Sequence, residues 1–195
     1  MDIWLATSNS GKVKEFQSLL MDIGANVHDV SEIEFYRSPI ESGQTFEANA
    51  LIKAKSLAVI KRGFWVVADD SGLEVEGLNN LPGIHSARYA GDNASDAMNV
   101  AKLLKMLKIR STNRNAQFQC ALVAISPQGE VYHFKGTLKG SITLAPQGQG
   151  GFGYDPIFVP ENETQTLGQL PPSVKNKISH RAQAIKAFKE FLNNQ

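Results

Sequence analysis

The sequence predicts an α/β fold with a mixed β-sheet flanked by helices, and three patterns support this prediction. A short apolar strand pattern at residues 3–6 runs through a polar loop into a helical repeat that begins at Val13. Residues 65–68 form a continuous apolar run, which is typical of a strand buried on both faces of a sheet. Between residues 118 and 125 the pattern changes to period two, and a turn joins it to residues 131–134 as an antiparallel hairpin.

The length and composition fit one domain over residues 1–195, or two closely packed lobes. The chain has 195 residues, of which 42% are hydrophobic and 20% are charged, so a sizeable core can form. Its net charge of +1 argues against electrostatic binding of long nucleic acids. A small anionic ligand needs only a few local cations and remains compatible with this charge.

Cys120 is the one cysteine of the sequence, which excludes a disulfide within the chain and a zinc site built from several cysteines. It lies in an apolar strand pattern, so we expect a buried thiol rather than a nucleophile. The sequence shows neither a signal peptide nor an apolar run long enough to span a bilayer. We therefore expect a cytoplasmic protein without a membrane partner.

The polar loop after the first strand is a candidate phosphate-binding site, formed by Thr7, Ser8, Asn9, Ser10, Gly11 and Lys12. A loop of this kind presents backbone N–H groups and the positive end of a helix dipole to an anion. Lys12 adds a cation, and the neighbouring hydroxyls add donors. Simple N-capping of the helix would explain Ser8, Asn9 or Ser10 equally well. The loop is not a P-loop, because it lacks the first glycine and the Gly-Lys-Ser/Thr ending.

A second helix is predicted to follow residues 41–45, with Thr45 as its N-cap. Glu41, in the loop before this helix, is either a metal ligand or an ordinary surface glutamate. Within the helix, Lys53 and Lys55 are expected to be solvated. The apolar positions expected to form its buried face are Leu51, Ile52, Ala54, Ala58 and Val59.

Asp69 and Asp70 come directly after the buried strand, where charge first appears, and Ser71 and Gly72 follow them. In open α/β sheets, ligands bind outside the carboxyl ends of the strands, so these carboxylates are candidates for catalysis. Successive side chains of a strand point to opposite faces, so both can face one metal ion only if the backbone turns. We expect one carboxylate to face a cleft and the other to be held by hydrogen bonds. A solvated turn is the alternative, because Asp, Ser and Gly favour turns.

Two loops stand out for their glycine content. Residues 77–91 are rich in Gly, Pro and Asn, which predicts a long loop of functional or mobile character. In residues 147–156, Phe152 and Tyr154 flank Gly153 within a run of glycines. The two aromatic rings are suited to stacking on a base, whereas a hairpin loop would explain the glycines alone.

The last helix is predicted to begin near Ser179, with His180 and Arg181 in its first turn. The start of a helix is electrostatically unfavourable for cations, so we expect a partner for these two side chains. An acceptor-rich ligand would supply it. An arginine that simply reaches solvent is the alternative.

Six motifs occur in the order and spacing of the noncanonical purine NTP pyrophosphatases, which are the inosine and xanthosine triphosphate pyrophosphatases of the Ham1 type. The chain resembles this family from its first strand to its last helix. Each motif alone is weak, whereas the six together are specific. They are Thr7-Ser8-Asn9-Ser10-Gly11-Lys12, Gly43-Gln44-Thr45-Phe46-Glu47-Ala48-Asn49-Ala50, Ala68-Asp69-Asp70-Ser71-Gly72-Leu73, Pro82-Gly83-Ile84-His85-Ser86-Ala87-Arg88-Tyr89, Gly151-Phe152-Gly153-Tyr154-Asp155-Pro156 and Ser179-His180-Arg181.

The resemblance implies an elongated mixed sheet flanked by helices, with two lobes around a central substrate cleft, and usually a homodimer. It also implies hydrolysis of dITP, ITP, XTP and dXTP to the monophosphate and pyrophosphate, with Mg²⁺ as cofactor. The expected partner is therefore a small purine nucleotide and not a nucleic acid. A pyrophosphatase with another base preference, such as dTTP or modified pyrimidines, and a nucleotide-binding protein without catalysis are the alternatives.

On the phosphate side, the resemblance assigns the loop from Thr7 to Lys12 to phosphate binding. It makes Asp70 a metal ligand that also accepts a proton, and Ser71 a substrate contact. Many members carry two acidic residues where this chain has Ile40-Glu41. Glu41 is therefore expected as the second metal ligand, unless that ligand comes from elsewhere in the chain.

On the base side, the resemblance assigns substrate binding to Phe152, Gly153, Tyr154, Asp155, Lys175, His180 and Arg181. The last two match a base-recognition pair. An arginine offers only donors, so it matches the carbonyl at purine position 6 and rejects the amino group of adenine.

Overall fold

A computed structural model describes residues 1–194 of the chain. The strands are β1 (Asp2–Leu5), β2 (Asn26–Asp29), β3 (Trp65–Val75), β4 (Leu81–Pro82), β5 (Asn115–Ile125), β6 (Val131–Ile142) and β7 (Phe158–Pro160). The helices are α1 (Ser10–Leu20), α2 (Phe46–Ile60), α3 (Asp96–Arg110), α4 (Pro172–Ile178) and α5 (His180–Asn193).

The strands form a mixed sheet in the order β2-β1-β3-β5-β6-β7, with β4 beside β3. β1 runs parallel to β2 and β3, with Ile3 opposite both Val27 and Trp65. The pairs β3–β4 and β6–β7 are antiparallel. The predicted combination of helix-flanked parallel strands and a later antiparallel part is therefore confirmed.

The chain forms two compact units. Unit 1 consists of Met1–Asp70, Cys120–Gly136 and the chain from Arg181 onward. In its core, Trp65 and Val67 of β3 pack with the apolar sides of α1 and α5. Val66 and Ala68 point the other way and pack against α2. This alternation explains why β3 begins as a continuous apolar run, since both of its faces are covered by helices.

Unit 2 consists of Ser71–Gln119 and Thr137–His180. In its core, α3 packs against strands β3, β5 and β7. The residues in contact include Leu103 and Leu107 of α3, Leu73 of β3, Phe118 of β5 and Phe158 of β7. The predicted long loop at residues 77–91 is more ordered than a plain loop. It contains β4 and a 3-10 helix at Gly83–Arg88.

The buried face of α2 agrees only in part with the predicted one, since Ala54 is buried and Leu51 and Ala58 pack against the core. Phe46, Ala50, Ala54 and Leu57 are buried, whereas Val59 is exposed. The helix carries apolar residues on most of its sides, so the period of its sequence does not identify the face that packs. Within residues 1–194, no helix combines the length and the apolar character that crossing a membrane requires.

Candidate active site

β3 does not end at Ala68 but continues through both aspartates to Val75, so the predicted alternative of a solvated turn is wrong. Because the backbone stays extended, Asp69 and Asp70 point to opposite faces of the sheet. Asp69 lies on the side of α1 and α5, and Asp70 lies on the side of α2. The two carboxylates therefore have different neighbours and different electrostatic environments.

Asp69 is the carboxylate that is held in place. Its side chain has no exposed surface, and its Oδ2 lies 2.9 Å from Nζ of Lys12 and 3.1 Å from Nε of Arg181. Burial by itself raises the pKa of Asp69, but Lys12 and Arg181 outweigh it and hold the pKa of this carboxyl well below its usual range. Asp69 is therefore a permanent anion between two cations, as predicted for one member of the pair.

Arg181 has the partner that its position at the start of α5 requires, and the protein itself supplies it. Besides the contact to Asp69, its Nη1 donates to Oε2 of Glu15 in α1. Its side chain is only 2% exposed. Burial alone lowers the pKa of Arg181, whereas the two carboxylates outweigh this effect and raise it. The alternative of an arginine that reaches solvent is wrong.

The loop before α1 is arranged as a helix cap. Asn9 is the N-cap residue, and its side chain accepts from the backbone N–H of Lys12 at 3.1 Å. The N-capping interpretation is thus confirmed for Asn9, while Ser8 and Ser10 are exposed. Lys12 places a cation beside this loop, and the binding of phosphate remains a prediction.

Asp70 faces a second cluster, built on α2. The Nδ2 amide of Asn49 donates to Oδ2 of Asp70 at 3.2 Å, and Nζ of Lys53 lies 3.5 Å from Oδ1. The same ammonium lies 3.4 Å from Oε1 of Glu41. Burial raises the pKa of Asp70, and the carboxylate of Glu41 adds to this effect against the opposing Lys53. The expectation that Lys53 is solvated is wrong, because its side chain is only 12% exposed.

Glu41 and Asp70 fit a magnesium ion. Both carboxylates already face one cation, the ammonium of Lys53. Mg²⁺ prefers oxygen ligands, and it commonly takes one or two carboxylates while keeping several waters. Among residues 1–194 there is no cluster of three or more His, Cys, Asp or Glu side chains that could hold a metal ion.

In unit 2, the glycine-rich loop at residues 147–156 is stabilised by hydrogen bonds to the buried carboxylate of Asp155. Oδ2 of Asp155 accepts from the backbone N–H of Phe152 at 2.9 Å and from Nζ of Lys175 at 2.6 Å. Gly153 donates its N–H to Oδ2 of Asp96 at 2.7 Å. Asp155 is 3% exposed. These contacts give the loop one defined conformation.

Unit 2 also contains several aromatic side chains with defined contacts, two of them in this loop. The hydroxyl of Tyr154 is buried and donates to the backbone carbonyl of Ser86 at 2.8 Å, and burial raises its pKa. The ammonium of Lys175 lies over the ring of Phe152, 4.5 Å from the ring centroid. His180 stacks on Phe118 with ring centroids 4.7 Å apart. Tyr154 thus supports the loop from inside, whereas Phe152 is partly accessible.

A family model described as "Ham1 family" matches residues 3–191. The chain belongs to the Ham1 family. It is 50% identical over 194 residues to a dITP/XTP pyrophosphatase of Bdellovibrio bacteriovorus, covering 98% of both chains. It is also 43% identical to a dITP/XTP pyrophosphatase of Bacillus subtilis, covering 96% of this chain and 95% of that protein.

Solved structures of Ham1 proteins have the same fold. The Staphylococcus aureus Ham1 protein matches with a TM-score of 0.87 at 42% identity, covering 100% of this chain and 99% of that one. A Ham1 protein of Coxiella burnetii matches with a TM-score of 0.88 at 37% identity, with full coverage of both chains. The resemblance inferred from the six motifs is confirmed.

The sequence alone did not identify three residues that contact the two aspartates or Arg181 in this Ham1 protein, namely Glu15, Asn49 and Lys53. Asn49 and Lys53 lie four residues apart, so they share one face of α2. Two polar residues at this spacing in a largely apolar helix indicate a buried polar contact, because polar groups on a packed face need hydrogen-bond partners. Glu15 gave no such signal, since a glutamate in the second turn of a helix is ordinary.

Proposed function

We propose that this Ham1-family chain is a nucleoside triphosphate pyrophosphatase that hydrolyses dITP, ITP, XTP and dXTP to the monophosphate and pyrophosphate. The observation that carries the proposal is that the carboxylates of Asp70 and Glu41 both lie beside the ammonium of Lys53. Phosphoryl transfer requires charge neutralisation and a positioned nucleophile, and this cluster has groups for both. The similarity to relatives named dITP/XTP pyrophosphatase supports the choice of substrate.

On the phosphate side, we propose that Lys12 and the N–H groups of the loop from Thr7 onward bind the phosphate chain. Asp70 and Glu41 would hold Mg²⁺, which when bound neutralises phosphate charge and makes a bound water more acidic. Asp70 accepts the proton of the water that attacks the α-phosphorus, at a carboxylate oxygen. Asn49 orients this carboxylate by donating a hydrogen bond from its Nδ2 to Oδ2 of Asp70.

On the base side, we propose that Ser71, Phe152, Lys175, His180 and Arg181 contact the substrate. The donors of an arginine suit the carbonyl at purine position 6, and an amino group there would leave a donor without an acceptor. Tyr154 and Asp155 contribute by shaping the loop, because their polar groups bond within unit 2. The whole chain would act as one pyrophosphatase domain, as a homodimer in the cytoplasm.

The test is release of pyrophosphate from ITP, XTP, dATP and dGTP with Mg²⁺, by the wild type and by Asp70→Asn. We expect turnover of ITP and XTP only, and its loss in the variant. Glu190→Gln, a similar change at an exposed position of α5, serves as control. Equal turnover of the four nucleotides would refute the base selectivity. Turnover of dTTP in their place would support a pyrimidine enzyme, and binding of ITP without turnover would support a non-catalytic protein.

A further inference from the structure

A basic cavity in unit 2 contains none of the residues of the candidate active site. It is formed by the exposed side and the C-terminal end of α3 and by the chain that follows β6. Its volume is about 740 Å³, which is within the range of pockets that hold small organic ligands. We propose that this cavity is a second binding site, which takes a small organic polyphosphate.

The sequence concentrates positive charge around the cavity. From residue 97 to residue 129 there are five Lys and Arg residues and no Asp or Glu, although the whole chain has 20 Lys and Arg against 19 Asp and Glu. Three of the five, Lys105, Lys108 and Arg114, line the cavity, and no acidic residue lines it. The potential in the cavity is therefore positive, even though the net charge of the chain is only +1.

The dipole of α3 explains only part of this charge. The C-terminal end of a helix is negative, and Lys108 and Arg110 lie in the last turn of α3, where they offset it. Lys105 lies before that turn, and Arg114 lies beyond the end of the helix at Arg110. The helix dipole therefore does not account for these two cations of the cavity wall.

Arg114 is held in the wall by contacts that do not neutralise its charge. Its Nε and Nη2 donate to the backbone carbonyls of Ile142 and Thr143. Burial lowers the pKa of Arg114, and among residues 1–194 no carboxylate opposes this effect. The two backbone contacts fix the plane of the guanidinium, and Nη1 has no partner among the described residues. An anion in the cavity would supply the missing partner.

The remaining lining indicates the class of anion. Ser111 and Thr112 add hydroxyl donors, which together with the three cations suit phosphate oxygens. Leu104 and Leu144 add apolar surface, and Leu144 is 83% exposed. Inorganic phosphate alone would leave these leucines without a contact, whereas an organic phosphate would cover them. Because no aromatic ring lines the cavity, we expect binding through phosphates with little preference among bases.

The experiment is an NMR titration of the ¹⁵N-labelled full chain with ATP in the absence of Mg²⁺. We expect the largest shifts at the amides of Ser111, Thr112 and Arg114 and at Nε–H of Arg114. The titration measures binding and not turnover, so its result is independent of the proposed function. The spectrum also shows whether each variant is folded.

The double variant Lys105→Gln/Lys108→Gln removes two exposed cations of the wall and should weaken ATP binding at these amides by about tenfold. The matched control is Lys55→Gln/Lys186→Gln, which removes the same charge from exposed positions of α2 and α5. Its affinity for ATP should stay within about twofold of the wild type, because distant exposed charges are screened. If the first double variant does not fold, Lys108→Gln alone takes its place.

A second variant tests the organic part of the ligand. Leu144→Ser should weaken ATP binding by about threefold and leave the binding of inorganic tripolyphosphate unchanged, since only ATP has a part that covers the leucine. Equal affinity of Leu144→Ser and wild type for ATP would overturn the assignment of an organic ligand.

Two outcomes would overturn the site itself. Shifts confined to residues 7–12 would mean that ATP binds only at the loop before α1. Equal weakening in the two double variants would mean that ATP responds to the net charge of the protein and not to this cavity.

Discussion

Gly151 and Gly153 allow a matched test of how the glycine-rich loop is held. Both have left-handed backbone, with φ of +72° and +62° respectively. A Cβ built on Gly153 meets no atom within 4 Å. A Cβ built on Gly151 would lie 1.9 Å from Oδ2 of Asp155. Alanine at either position therefore carries the same backbone strain, and only Gly151→Ala also displaces a buried carboxylate.

The expected magnitudes follow from these contacts. Left-handed backbone at an alanine costs about 1–2 kcal/mol, which is the whole effect expected for Gly153→Ala. Gly151→Ala additionally forces Oδ2 of Asp155 away from the N–H of Phe152 and from Nζ of Lys175. Breaking a buried ion pair typically costs about 3–5 kcal/mol. We therefore expect Gly151→Ala to lower the free energy of unfolding by about 3 kcal/mol more than Gly153→Ala does.

The assay is urea unfolding of both variants and the wild type, followed by far-UV circular dichroism. Pyrophosphate release from ITP, measured in parallel, reports whether the loop is also needed for the reaction. If the two variants differ by less than about 0.5 kcal/mol, Asp155 does not hold the loop as the contacts indicate. A larger loss in Gly153→Ala than in Gly151→Ala would refute the steric reasoning as well.

Three further predictions concern single side chains. The carboxylate of Glu32 accepts a hydrogen bond from the ring of His28 and raises the pKa of His28 above 6.5. The stability that this ion pair adds is therefore full below about pH 6.5 and is lost as the pH rises through the raised pKa; an NMR titration of His28 should give the raised pKa, and Glu32→Gln should bring it back towards 6.5. Burial raises the pKa of Cys120 to about 12, so the native protein should not react with a disulfide reagent at about pH 8, whereas the urea-unfolded protein should; rapid native reaction would contradict the burial. Tyr154→Phe leaves the carbonyl of Ser86 without this donor and should lower the free energy of unfolding by about 1 kcal/mol, again measured in urea.

Much of the fold follows from local sequence patterns. The apolar run that opens β3 is buried on both faces as predicted, and the period-two segment at residues 118–125 lies in β5. The extension of β3 through Asp69 and Asp70 could not be predicted. Acidic residues normally end a strand, and here they are tolerated because Lys12 and Arg181 neutralise one and α2 supplies partners for the other.

The candidate site shows the same limit. The sequence indicated that Arg181 needs a partner, but not that Glu15 and Asp69 provide it, since these contacts join residues 166 and 112 positions apart. Lys53 was expected in solvent for a similar reason. Its partners Asp70 and Glu41 come from a strand and a loop that only the folded chain brings to α2. Helical spacing predicts which side chains share a face, but not what that face meets.

The two aspartates show how an extended strand separates structural and chemical roles within one dipeptide. Their side chains must leave β3 on opposite faces, so no small shift can bring both to one ligand. Asp69 has two cations on Oδ2 and no exposed surface, which makes it unsuited to exchange a partner for a metal ion. Asp70 and Glu41 both contact the ammonium of Lys53, at 3.5 Å and 3.4 Å respectively, and a metal cation bound there would take the place of this ammonium. The strand therefore determines which aspartate is available for chemistry, and an exchange of environments between the two would require the strand to shift its register by one residue.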